Sequence, residues 1–338
     1  MMHEAMFWEK LDDDRVRCGL CRHACIIPPG RRGICGVREN QGGKLFSLVY
    51  GRLIAENVDP IEKKPLFHYL PGSRSYSIAT VGCNFRCCHC QNAEISQWLH
   101  SKREIPGRHV APEEVVRQAL AAGCRSISYT YTEPTIFYEY AYDTAVLAHE
   151  KGLGNVFVSN GYTSTAALEK IAPVLDAVNV DLKGFTETFY REVIGATLAG
   201  VLATLRDYRR LGTWLEVTTL VIPGRNDGDE ELAAIARFIA DELGPQVPWH
   251  VTAFYPTYKM LDSPPTPVTT LVRARGIGLD AGLKHVYVGN IHDATGENTY
   301  CPKCGELLIE RRGFRLGRLR LEKGACPVCR TPLAGVWE

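Results

Sequence analysis

The sequence predicts an α/β fold in which a partial, TIM-like (β/α)6 barrel lies between two cysteine-rich appendages. Three observations predict it. From Arg74 to about Asp293, short β-branched or aromatic runs alternate with longer amphipathic stretches, the pattern of parallel strands covered by helices. Six or seven such units are too few for a closed eight-fold barrel. All but two of the 13 cysteines fall into three groups, one before this region, one at its first strand and one after it. The expected divisions are a Cys-rich segment over 1–72, the barrel over 73–295 and a small C-terminal unit over 296–338.

Taken in order, residues 1–72 are rich in Gly, Pro and Arg, and 44–58 suit two short strands. Barrel strands are expected at Ser75–Thr80, Ser126–Tyr131, Asn155–Ser159, Ala177–Asp181, Trp214–Val221, Trp249–Ala253 and Lys284–Val288. Helices are expected at Pro112–Ala122, Thr135–Lys151, Gly200–Leu211, Asp229–Glu242 and Val268–Gly282. Pro112 suits a first turn, Glu113 and Glu114 suit the helix dipole, and Gly152 is a natural stop.

The apolar fraction of 45% over 338 residues supports a substantial core. A net charge of +1 argues against a nucleic-acid or anionic-membrane partner. The first residues carry no apolar run or basic segment of a signal peptide, and no stretch is long enough for a membrane span. A cytoplasmic setting follows as the expectation, and with it metal binding by the thiols in place of disulfides.

Cys83, Cys87 and Cys90 stand in CxxxCxxC spacing directly after the first barrel strand, at the end where such folds gather catalytic groups. Three thiolates this close can grip three irons of a [4Fe–4S] cube and leave the fourth open to a small molecule. Zinc prefers four tetrahedral ligands, usually in two pairs, which one tight triplet does not supply. Cys88 breaks the register and reads as a spectator, and Cys124 as a buried small hydrophobe.

Cys301, Cys304, Cys326 and Cys329 form two CxxC knuckles around a stretch that alternates like a hairpin with glycine turns. This is zinc-ribbon spacing, with a rubredoxin-like iron site as the competing metal. Arg311, Arg312, Arg315, Arg318, Arg320 and Lys323 in that hairpin read as a solvated basic face. Cys18, Cys21, Cys25 and Cys35 form a further set of four, with Gly and Pro that let the chain turn round an ion. Spacing does not separate zinc from an auxiliary Fe–S cluster there. The ferredoxin-like C-x2-C-x2-C-x3-C-P run is absent, which counts against the two-cluster insert of many glycyl-radical activases.

With CxxxCxxC in hand, the chain resembles radical S-adenosylmethionine (SAM) enzymes. The runs CGLCRHACIIPPGRRGICGVREN, VDPIEKKPLFHYLPGS and NTYCPKCGELL resemble the AmmeMemoRadiSam subfamily, itself similar to the activating enzymes of glycyl radical enzymes. The resemblance runs over nearly the whole chain. It implies the partial barrel, a cluster on Cys83, Cys87 and Cys90, and SAM at the open iron. His89 stands where the family places an aromatic near the adenine. Tyr131-Thr132-Glu133-Pro134 resembles the family's Gly-Gly-Glu-Pro segment and makes Glu133 the contact to SAM's amino group, while a helix cap is the plain reading. Asn160 would meet the SAM carboxylate or ribose, or be a turn asparagine before glycine. Asp181 and Lys183 would serve SAM and the active site, or form a structural ion pair. The apolar segment from Val221 would wall the adenine, and His250 would lie against the ribose or be a satisfied core histidine. The resemblance further implies a low-potential donor, ferredoxin or flavodoxin, and Memo-like and AMMECR-type partners. The rivals are a glycyl radical activase and, from another class, a zinc-ribbon nucleic-acid-binding protein.

Overall fold

The computed structural model describes residues 3–100, 102–291 and 296–338. The boundary expected at 295 lies outside them. The centre is an eight-stranded sheet. Seven strands run parallel: β2 (Arg74–Ala79), β3 (Ser126–Tyr129), β4 (Gly154–Ser159), β5 (Ala177–Asp181), β6 (Trp214–Val221), β7 (Trp249–Ala253) and β8 (Val286–Gly289). The eighth, β1 (Ala55–Pro60), pairs antiparallel with β2, Ala55 opposite Ala79. Neighbours in the sheet follow chain order, leaving β1 and β8 as the two edges of an incomplete barrel. Parallel strands are covered on both faces, which is why Ser75 to Ala79 and all of β3 are buried.

Among the described residues, six helices of seven residues or more cover the sheet: α1 (Pro112–Ala121), α2 (Tyr138–Glu150), α3 (Thr165–Ile171), α4 (Leu198–Leu211), α5 (Asp229–Phe238) and α6 (Val268–Asp280). α1 opens on Pro112 with Glu113 and Glu114 in its first turn. α2 starts later than its sequence pattern suggests, because Pro134–Phe137 form a 3-10 turn first. α3 was not expected. It is short, and its clearest signal is the Ser164 cap, whose Oγ accepts from the Ala167 amide. Among the described residues no helix is long and apolar enough to cross a membrane.

Residues 61–70 plug the barrel. Ile61, Leu66, Tyr69 and Leu70 pack on Val156 and Ala177. The approach is close enough that a Cβ on Gly154 would meet Tyr69 Oη at 2.0 Å, so only glycine fits there. The chain's tail closes over the plug through backbone bonds between Leu70 and Val336 and between Val336 and His68, each 2.7 Å. His68 completes the lock, with Nδ1 2.8 Å from the Ala334 carbonyl and Nε2 2.6 Å from the Tyr287 hydroxyl. Burial holds the His68 pKa down at about 4, against an ordinary 6.5, despite the attraction of Glu216. The unfolded chain therefore takes up this proton first as pH falls. His68 contributes about 3 kcal/mol above pH 6.5, and that contribution is lost on descent towards pH 4. Thermal melting across this window is expected to fall for the wild type and to fall less for His68→Gln.

The N-terminal segment folds into two small antiparallel sheets, one of His3–Glu4, Lys44–Ser47 and Arg38–Gln41, the other of Trp8–Lys10, Val16–Cys18 and Ile26–Ile27. It docks on the barrel through the buried Arg38–Glu139 pair at 2.8 Å and through Arg22 to Asp207 at 2.8 Å. At the other end, β9 (Thr299–Tyr300), β10 (Leu307–Arg312) and β11 (Arg315–Leu319) form an antiparallel ribbon. One expectation fails here. Arg311 is not part of a solvated face. It is buried, donates to the Phe67 carbonyl at 2.6 Å and to Thr299 Oγ1 at 2.7 Å, and stacks on the Phe67 ring. Its odd position in β10 points it at the barrel, while Arg312 and Arg315 stay exposed.

Candidate active site

The C-terminal ends of the strands surround a cavity of about 520 Å3. Lys64 and Phe67 of the plug contribute to its lining, as do inward residues such as Thr218, Leu220 and Thr252 of β6 and β7. Cys83, Cys87 and Cys90 all line it. The loop that carries them leaves β2 through Gly82 at φ +101°, where a Cβ would meet Val37 and the Cys35 carbonyl. Burial pushes the Cys87 thiol up to about 12, although Lys183 pulls it down, and burial also raises Cys83 well above its ordinary value. Thiols this desolvated need a cation to become thiolates, which suits a metal-binding set. Cys88 is not among the lining residues. Its amide donates to the Val193 carbonyl and its carbonyl accepts from the Lys259 amide, both at 3.0 Å.

His89, Asn160, Asp181, Lys183 and His250 line the same cavity. His89 is buried, stacked towards Phe189, with both ring nitrogens unpartnered. Asn160 donates from Nδ2 to Asn84 Oδ1 at 2.7 Å and lies 3.7 Å from Cys83 Sγ, while its own Oδ1 is unpartnered. Lys183 and Asp181 form an ion pair at 2.7 Å. Burial alone would lower the Lys183 ammonium, but Asp181 and Cys87 outweigh it and raise it. His250 Nε2 sits 2.7 Å from Glu216 Oε2.

Glu133 stands apart. It does not line the cavity; its buried carboxylate accepts from Thr135 N at 3.0 Å, Thr135 Oγ1 at 2.6 Å, Ser159 Oγ at 2.9 Å and Asn160 N at 2.8 Å. It therefore ties the end of β3 to the end of β4 and holds Asn160 in place. Val221 and Ile222 are also turned into the core, and Leu220 faces the cavity instead.

Three contributors, Glu216, Lys64 and Phe314, went unforeseen, as did the anchoring of Tyr131. Glu216 is a fully buried carboxylate that gathers His250, the Phe67 and His68 amides and the Trp214 indole. Burial would raise its pKa, yet these partners hold it below the usual carboxylate range. A lone acid inside the apolar run of β6 was the available signal. Lys64 pairs with Asp59 at 2.6 Å, and burial lowers it to about 8. Tyr131 adopts φ +62°, where the family uses glycine, and is anchored by its hydroxyl to Asp59. Phe314, at the turn between β10 and β11, reaches the cavity wall.

The remaining cysteines form two further sets. The sulfurs of Cys301, Cys304, Cys326 and Cys329 all lie within 4.8 Å of one another, a group that could hold a metal ion. Cys18, Cys21, Cys25 and Cys35 line a separate small cavity of about 20 Å3.

The sequence matches the model of the radical SAM superfamily over residues 77–239. It is 50% identical over 330 residues to an uncharacterized protein of Methanocaldococcus jannaschii, covering 97% of this chain and 98% of that one. It is 26% identical over 144 residues to the benzylsuccinate synthase activating enzyme of Thauera aromatica, a match that spans 40% of this chain and only 44% of that enzyme. A radical SAM methyltransferase from Sphaerobacter thermophilus shares the fold, with a TM-score of 0.51 at 17% identity over 71% of each chain.

Proposed function

The chain belongs to the radical SAM superfamily and resembles its activating enzymes, and on that premise we propose that it cleaves SAM reductively and turns the resulting radical on a substrate in the same cavity. The observation that carries this reading is the convergence of Cys83, Cys87 and Cys90 on one large cavity whose wall also holds unpartnered polar atoms of His89 and Asn160. The family implies a [4Fe–4S] cluster and SAM, and the donor set suits both: three cysteines for three irons, polar groups for the ligand. When bound, the cluster supplies the electron that splits a carbon–sulfur bond of SAM into methionine and a 5′-deoxyadenosyl radical.

The residues' own work is to hold and exclude. Asn160, kept in place by Glu133, is available to the SAM carboxylate or ribose. Lys183, balanced by Asp181, offers a charge to the carboxylate, His89 a ring to the adenine, and His250, oriented by Glu216, a contact to the ribose. The walls hold the reacting atoms together and keep other hydrogen donors away. Cys301, Cys304, Cys326 and Cys329 are spaced for one zinc ion as a folding staple. The reductant would be a low-potential ferredoxin or flavodoxin in the cytoplasm, and Memo-like and AMMECR-type proteins are the expected associates.

The likeness to an activating enzyme favours a second reading, in which the hydrogen is taken from a glycine of a partner enzyme. Both readings share the first step. After anaerobic reconstitution with iron and sulfide, dithionite and SAM are expected to yield 5′-deoxyadenosine and methionine in equal amounts. Cluster-loaded protein that yields neither contradicts the proposal.

A further inference from the structure

We propose that Cys18, Cys21, Cys25 and Cys35 hold a second iron–sulfur cluster, set back to back with the loop that carries Cys83, Cys87 and Cys90. Two independent observations lead there. The first is the size of the site. Sulfurs sharing one zinc lie about 3.8 Å apart, from bonds of about 2.3 Å, and close on the ion with no space between them. Among the described residues, the set at Cys301, Cys304, Cys326 and Cys329 has its sulfurs all within 4.8 Å, and the N-terminal four do not meet that spacing. Neither do Cys83, Cys87 and Cys90. The N-terminal four line one void of about 20 Å3 and stand further apart than the zinc spacing requires. Each thiolate of a [4Fe–4S] cluster binds a different iron, so its sulfurs stand further apart than those around one zinc. The buried Arg38 guanidinium lines the same void and offsets thiolate charge.

The second observation is the position. Asn84 lines the N-terminal void, while its chain neighbours Cys83 and Phe85 line the large cavity. One turn of chain is thus the wall between the two sites. His23, within the cysteine loop, bonds the Asn84 carbonyl through Nε2 at 2.9 Å. Gly82 packs so closely that a Cβ there would meet the Cys35 carbonyl at 3.0 Å. A mere folding staple needs no such adjacency. The arrangement would suit delivery of one electron: Cys18, Cys21, Cys25 and Cys35 would hold a cluster that accepts one electron from a low-potential ferredoxin or flavodoxin and passes it to the site at Cys83, Cys87 and Cys90. This relay rests on the function proposed above; the cluster itself does not.

The test counts metal in the full chain. Wild-type protein, reconstituted anaerobically, is expected to carry about eight irons and about one zinc. The triple variant Cys83→Ala/Cys87→Ala/Cys90→Ala is expected to keep about four irons and an electron paramagnetic resonance (EPR) signal after reduction. Cys21→Ala/Cys25→Ala is expected to lose that signal and keep the other. About two zinc ions in the wild type, or no iron in a triple variant that retains wild-type circular dichroism, overturns the proposal. If the triple variant does not fold, the wild-type iron-to-zinc ratio decides alone. A full iron count in a protein that fails to cleave SAM would leave this cluster standing and remove the function proposed above.

Discussion

Cys83→Ala, Cys87→Ala and Cys90→Ala are each expected to reduce 5′-deoxyadenosine formation to the level seen without enzyme, while Cys88→Ala keeps most of it. The four residues are neighbours in sequence and differ in placement. Three line the cavity, and Cys88 does not. Cys88 cannot easily take over, because its backbone is held on one side by Val193 and on the other by Lys259. Cys90 Sγ lies 3.1 Å from Ser96 Oγ, a poor ligand for iron beside a thiolate. Losing one sulfur leaves two, which hold a cube badly. Iron content and product formation should therefore fall together. Inactive Cys88→Ala beside active Cys87→Ala would reverse the ligand assignment.

Glu133→Ala is expected to lower the melting temperature by about 6 °C, and Glu133→Gln by less. The carboxylate satisfies two backbone amides and two hydroxyls in a site with no water contact. Each donor left unmet in such a place costs about 1–3 kcal/mol, and the losses overlap, so about 3–5 kcal/mol in all is reasonable. The backbone links concerned fix the ends of β3 and β4 and the amide of Asn160, so SAM affinity should weaken as a consequence. Calorimetry separates this from direct contact. A residue that only touches SAM would raise the KM for SAM and leave melting of the SAM-free protein unchanged.

The contrast between these two sites shows what the sequence could convey. Strand runs such as Ala177–Asp181 and Trp214–Val221 were legible because parallel strands are buried on both faces and need unbroken β-forming side chains. The cysteine sets were legible because metal chemistry fixes spacing along the chain. Direction was not. The motif around Glu133 marks a strand end but not whether the carboxylate turns to the cavity or to the next strand. Short strands were expected near β1, yet its run, half of it Glu, Asn and Asp, gave no sign that it extends the barrel sheet. Arg311 sits among similar basic residues, and only the packing of the ribbon against Phe67 singles it out. Glu216 depends on partners from the plug, β6 and β7, which no local pattern brings together.

The proposed cluster is held by Cys83, Cys87 and Cys90, and SAM is proposed to bind its remaining iron. Electron–nuclear double resonance on the reduced protein, with SAM isotopically labelled at its carboxylate, reads that bond directly. A hyperfine coupling between the label and the cluster is the predicted result. No coupling, in a sample where equilibrium dialysis shows SAM bound and iron analysis shows the cluster present, contradicts it.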